Sequence, residues 1–156
     1  MPLAQLREFL DGYHVKYATI THSQAYSAQM IAASTHTPGK EFAKTVMVKL
    51  GGKMTMAVLP ACHLIDFDRL KGAAGVKHAE LAHEEEFATI FPGCEVGAMP
   101  PFGNLYGLEV LVDEAFSKNQ DIAFNAGSHR ELLRLAYHDY ENLVKPTVAR
   151  FSHQVP

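Results

Sequence analysis

The chain has no tryptophan, only two cysteines in 156 residues, and no apolar run of the roughly 18 residues that a membrane helix requires. Each shortage excludes something. Cys62 and Cys94 have neither metal-type nor redox-type spacing, and a disulfide framework would use more cysteines. Two reduced thiols in a cytoplasmic protein are therefore expected. The N-terminal stretch MPLAQLREFLDGYH mixes charged and apolar residues where an export signal would be continuously apolar, so neither export nor a membrane partner is expected. Positive charge is also scarce. Lys and Arg number 14 against 17 Asp and Glu, and a net charge of -3 argues against DNA or any long stretch of nucleic-acid backbone. A short contact stays open, because Lys40, Lys44, Lys49 and Lys53 surround one expected hairpin. They could meet a few phosphates at the end of an RNA, or form a solvated edge.

Signatures of common catalysts are missing too. The sequence contains no GxSxG elbow, no HExxH, no phosphate-cradling GxxxxGK and no GxGxxG after a strand. Nine histidines invite a metal reading, but none pairs at helical ligand spacing with a third ligand nearby, so neither a metal nor another cofactor is expected. Glu84, Glu85 and Glu86 open an expected helix, where negative charge complements the helix dipole, and they read as solvated surface without a role.

What is present suffices for a core. Hydrophobic residues make up 47% and charged residues 20% of the chain, which predicts one globular domain over residues 1–156. Pro2 followed by Leu3, Leu6, Phe9 and Leu10 predicts a helix ending near Gly12. Val15 to Thr21 reads as a strand, and Ser27 as the cap of a short helix Ala28 to Ser34. Phe42 to Leu50 and Met54 to Leu59 flank Gly51-Gly52, the strongest hairpin signal in the chain. Further along, helices are expected at Asp66 to Lys71 and Glu84 to Phe91, and a strand at His78 to Leu81. Tyr106 to Val112, Ile122 to Asn125 and Glu131 to Ala136 read as strands, with Asp139 capping a helix Tyr140 to Val144. Helices are interspersed with hairpins rather than alternating strictly with strands, which makes the fold class α+β.

Three segments are harder to explain as scaffold. In FAKTVMVKL, Lys44 interrupts an apolar strand with Thr45 beside it. Alternation puts Phe42, Lys44 and Val46 on one face, so the lysine points into a cleft or snorkels at the sheet margin. GAMPPFG, residues 97–103, carries two prolines that stop helix and strand, and is either a wall offering backbone N–H groups or a tight connection. Asn125-Ala126-Gly127-Ser128-His129 places a hydroxyl and an imidazole side by side at a strand end, where a surface histidine is the plain alternative.

These segments, in this order and spacing, resemble the YbaK/ProX family of aminoacyl-tRNA deacylases, whose domain also occurs as the editing insertion of bacterial prolyl-tRNA synthetases. The resemblance runs from about Leu3 to Lys145. It implies a mixed, mostly antiparallel sheet surrounded by short helices, and hydrolysis of the ester joining a wrong amino acid to the tRNA 3′ end. A ribose hydroxyl of the substrate would help a water attack, which agrees with the lack of any nucleophile–base pair in the sequence.

On that resemblance, Lys44 would bind the ester carbonyl or the terminal phosphate, the Gly97 backbone would hold the acyl group or the oxyanion, and His129 would touch the terminal ribose or the acyl amine. Thr45, Gly127 and Ser128 would contact substrate, and Tyr26, Met30, Met99 and Phe102 would wall the amino-acid pocket. The implied substrates are small amino acids such as Ala, Ser or Cys on tRNA-Pro, and the implied partners are the aminoacyl-tRNA 3′ end and prolyl-tRNA synthetase. No attached synthetase or obvious tRNA-binding extension is read in the sequence, so recognition of the tRNA body is expected to be weak, supplied by a partner, or absent. A non-catalytic module that holds a tRNA end or a synthetase, and a hydrolase for an unrelated small ester, are the competing readings.

Overall fold

A computed structural model describes residues 2–21, 40–95 and 97–154. The expected helix Ala28 to Ser34, together with Tyr26 and Met30, lies outside the described residues. Helix α1 (Pro2–Gly12) buries Leu6 and Leu10, as the three- and four-residue spacing requires. Strands β1 (Tyr17–Thr21), β7 (Asp121–Asn125) and β8 (Glu131–Ala136) form an antiparallel sheet in the order β1-β8-β7.

The larger sheet is mixed. It runs β5-β2-β3-β6-β9, built from β2 (Ala43–Leu50), β3 (Lys53–Pro60), β5 (Ala79–Leu81), β6 (Glu109–Asp113) and β9 (Thr147–Ala149). β2 lies antiparallel to β3 and β5, while β3–β6 and β6–β9 are parallel. Gly51 and Gly52 close the β2–β3 hairpin with φ of 59° and 85°, the pair of positive values a two-residue primed turn demands. Strand β4 (His63–Ile65) pairs with β10 (Ser152–Gln154) in a separate two-stranded ribbon.

Among the described residues the remaining helices are α2 (Phe67–Ala74), α3 (Glu84–Phe87) and α4 (Tyr137–Val144), with 3₁₀ turns at Gly103–Tyr106 and Glu114–Lys118. None is long and apolar enough to cross a membrane. The fold is α+β, as expected, with several boundaries corrected. α3 stops at Phe87, short of the expected Phe91, because Phe91 is drawn into the core. Tyr106 belongs to a 3₁₀ turn rather than a strand, and α4 starts at Tyr137 with Ala136 as its cap, so Asp139 sits in the first turn.

The two faces of the hairpin bury different cores. Ala43, Met47, Met56 and Val58 join α1, Phe102, Phe124 and Tyr140 on one side, while Val48, Leu50, Ala57 and Leu59 pack with Leu70 and Phe151 on the other. Where β2 begins, Phe42 forms a parallel bridge to Ala123, and Ala123 N–H donates to Glu41 O at 2.9 Å. That bridge joins the smaller sheet to the larger one.

Candidate active site

Lys44 lies two residues past the Phe42 bridge, on the face shared with Val46 and Leu59. It is half-buried and makes no ion pair among the described residues. Burial pushes its ammonium below the usual lysine range, with an opposing contribution from the Cys62 thiol. A cation removed from water without a carboxylate is costly to the fold and useful to a ligand.

The parallel bridge sets Lys44 two residues past Phe42 and Asn125 two residues past Ala123, so the side chains of both point to the same side of the junction. Asn125 is 8% exposed, and its Oδ1 has no hydrogen-bond donor among the described residues. A buried acceptor left without a donor is rare in a folded protein and marks a place for a ligand donor. Sequence alone shows Asn125 only at a strand end, since the bridge that relates it to Lys44 is a long-range one.

The 97–103 loop and the 126–129 turn are tied together through the backbone. Gly127 N–H donates to Ala98 O at 2.9 Å and Glu95 N–H to Gly127 O at 2.8 Å. Gly97 adopts φ +80°, and a Cβ there would stand 3.7 Å from His129 Cε1, so its surface is open backbone facing the imidazole. Gly97 N–H is given to no backbone carbonyl of the described residues. His129 is buried, and Ser128 Oγ accepts from Arg130 N–H at 3.3 Å to hold the turn. Gly97, Gly127 and His129 are thus brought together. β7, bridged at Ala123 to Phe42 two residues before Lys44, runs past Asn125 into the same turn.

Other expected residues fall elsewhere. Thr45 points to the opposite side of β2 from Lys44, at 9% exposure. Phe102 is fully buried, its ring packed on Phe9, Phe124 and Tyr140, a core position behind the loop. Met99 is buried against a small cavity of about 50 Å³ lined by Phe87, Phe91 and Cys94. The basic group around the hairpin is not a free patch. Lys49 pairs with Glu86 at 2.8 Å and Lys53 with Glu109 at 2.8 Å, and Glu86 also accepts from His83 N–H, so that carboxylate is more than solvated surface.

One cluster had no counterpart in the sequence reading. Asp113 Oδ2 accepts from Ser152 Oγ at 2.7 Å, and Ser152 Oγ lies 2.8 Å from His63 Nδ1. Serine sits between the carboxylate and the imidazole, the reverse of a nucleophilic triad, so Ser152 holds His63 and is not an activated nucleophile. Burial lowers the His63 pKa first of all; Asp113 opposes this, and His153 and Lys44 add to it. Among the described residues no three His, Cys, Asp or Glu side chains converge as a metal set.

Comparison with known proteins gives the family and the fold. Residues 22–143 match the aminoacyl-tRNA editing domain family. The multifunctional Ser/Thr-tRNA deacylase ProXp-y of Escherichia coli K12 is 27% identical over 140 residues, covering 86% of this chain and 83% of that protein. Among solved structures, a candidate trans-editing enzyme for prolyl-tRNA synthetase superposes with a TM-score of 0.82 at 17% identity, covering 97% of each chain. The hypothetical protein APE2540 superposes with a TM-score of 0.85 at 19% identity, covering 96% of this chain and 99% of that one.

Proposed function

The chain belongs to the aminoacyl-tRNA editing domain family and is an aminoacyl-tRNA deacylase, and from that premise we propose that it edits in trans, hydrolysing the ester of a small amino acid such as Ser, Ala or Cys mischarged on tRNA-Pro. Two observations support this reading: Lys44 is half-buried with no ion pair among the described residues, and Asn125, which like Lys44 lies two residues past the Phe42–Ala123 bridge, has an Oδ1 with no donor among those residues. An aminoacyl ester offers the complementary groups. Its carbonyl oxygen gains negative charge during attack and suits the ammonium, and its α-ammonium or a ribose hydroxyl can donate to Asn125.

In the reaction water adds to the ester carbonyl and the bond to the ribose oxygen breaks. The water supplies a proton to the departing ribose oxygen, leaving a free amino acid and an uncharged tRNA. The neighbouring ribose hydroxyl orients the water, Lys44 and the Gly97 N–H stabilise the oxyanion, and His129 positions the terminal nucleotide. The ProXp-y likeness supports putting the seryl ester first, and tRNA-Pro with prolyl-tRNA synthetase as partner is the reading in keeping with the trans-editing neighbour.

The test is a deacylation panel of tRNA-Pro charged with Ser, Ala, Cys, Thr or Pro, with and without prolyl-tRNA synthetase. Fast loss of Ser, Ala or Cys with Pro retained is the expected result; retention of all five esters would sink the proposal. Turnover is expected to survive EDTA, since the described residues offer no metal set. Inactivation by EDTA with recovery on adding zinc would contradict that.

His129 gives a second readout. If it positions the substrate through one hydrogen bond, His129→Ala should slow single turnovers by roughly two- to tenfold without changing the pH profile. A general base would cost about 10²- to 10⁴-fold and would remove an inflection near a histidine pKa. Rates measured from pH ~5.5 to ~8.5, bracketing that pKa, separate the two.

A further inference from the structure

We infer that the groove between the β4–β10 ribbon and the Glu114–Lys118 turn is a binding track for the phosphodiester backbone of the single-stranded RNA 3′ end, leading it to Lys44. The inference rests on the function proposed above, whose reacting ester must trail a polyanionic strand across some part of the surface.

Position comes first. Leu59 pairs with Lys44 and Pro60 with Ala43, Ala61 N–H donates to Phe42 O at 2.7 Å, and His63 follows at once as the first residue of β4. His63 is also a wall of the groove, whose volume is about 580 Å³. The groove therefore opens beside the lysine's end of the hairpin.

Chemistry comes second. Lys118 and Arg150 line the groove, are exposed, and make no ion pair among the described residues, whereas Lys49 and Lys53 of the hairpin are spent on Glu86 and Glu109. Ser117, His153 and Gln154 add donors. Asp113 on the floor does not repel an anion at full strength. It is 2% exposed, its Oδ1 accepts from Ala115 N–H at 2.9 Å, and its Oδ2 accepts from Phe151 N–H at 3.1 Å and Ser152 Oγ at 2.7 Å. Glu114 remains as an exposed carboxylate, so the groove suits one or two phosphates of a flexible strand and not a duplex. The net charge of -3 fits so limited a contact.

His63 adds a feature specific to ribose. The Ser152 proton is given to Asp113, so Ser152 Oγ accepts from His63 Nδ1–H and the neutral imidazole keeps Nε2 as an acceptor. A ribose 2′-hydroxyl is a donor that such a nitrogen can take, and DNA lacks it.

The experiment compares wild type with the Lys118→Gln/Arg150→Gln double variant in two arms. In the binding arm an uncharged RNA oligonucleotide ending in CCA is titrated at several salt concentrations. Loss of two phosphate contacts should lower the log–log salt slope by about 1.4 and weaken binding roughly tenfold at physiological salt. In the kinetic arm, single turnovers are followed on seryl-tRNA and on the seryl ester of adenosine, which has no phosphate. The loss on the tRNA should exceed the loss on the adenosine ester by about tenfold, and Lys118→Arg/Arg150→Lys should restore it. An unchanged salt slope, or equal losses on both esters, would overturn the track. A wild type that cleaves neither ester would overturn the deacylase placement, while the salt slope would still decide the groove.

Discussion

Lys44→Ala should lower turnover on its aminoacyl-tRNA substrate by more than about 100-fold, the cost typical of removing a group that stabilises a developing oxyanion. The fold should not suffer. In the native protein the ammonium is half-buried with no carboxylate partner among the described residues, and burial holds its pKa below the ordinary lysine value, which means that the charged form is the destabilised one. The sign follows directly. The penalty is fully present below the folded-state pKa and is relieved as pH rises through it, since the unfolded chain then binds more protons than the folded one.

Lys44→Met, which keeps the aliphatic stem, should therefore melt at or above the wild-type temperature at neutral pH, with the difference shrinking in alkali. Circular dichroism melts across pH and single-turnover rates measure both halves. Normal deacylation by either variant would remove Lys44 from the chemistry. A large drop in melting temperature would instead make the lysine structural.

The hairpin, α1 and the α+β class were legible because each depends on neighbours in sequence: Gly51-Gly52 for the turn, Leu6 and Leu10 for the helix face, alternation for β2. The ordered segments at 44, 97–103 and 125–129 were legible for the same reason. Long-range pairing hid the rest. Thr147–Ala149 and Ser152–Gln154 are three residues each, too short for a pattern, and become strands only through β6 and β4. Asn125 is related to Lys44 only through the long-range Phe42–Ala123 bridge, two residues before each. Lys49 and Lys53 looked like part of a basic patch because Glu86 and Glu109, their partners, come from other elements. Phe102 sits beside two prolines in a loop, yet its ring is core, since the loop folds inward onto α1 and α4 and Tyr140 Oη donates to Pro101 O at 2.7 Å.

Asp113 is the position where such long-range pairing carries the greatest structural weight. It ends β6, caps the Glu114–Lys118 turn through Ala115 N–H, and receives Phe151 N–H and Ser152 Oγ from the segment that starts β10. Phe151 is fully buried against Leu59, Leu70 and Leu111, so this carboxylate fastens the C-terminal ribbon onto the second core. Asp113→Ala would leave two backbone donors and a serine hydroxyl without an acceptor, two of these three bonds being buried ones.

Breaking a buried charged network of this kind typically costs about 3 to 5 kcal/mol. In a chain of this size that corresponds to a fall in melting temperature of roughly 10 °C. Asp113→Asn keeps one acceptor oxygen and should lose less than Asp113→Ala, though not nothing, because its amide nitrogen cannot accept from the second set of donors. Thermal melts of the two variants give the ordering. Equal stability of Asp113→Ala and wild type would mean that the ribbon is held by Phe151 packing alone. Loss of β10 docking also frees Ser152 from His63, so Asp113→Ala should weaken binding of the CCA-ending RNA even well below its melting temperature, while Lys118→Gln/Arg150→Gln weakens it with no change in the melt.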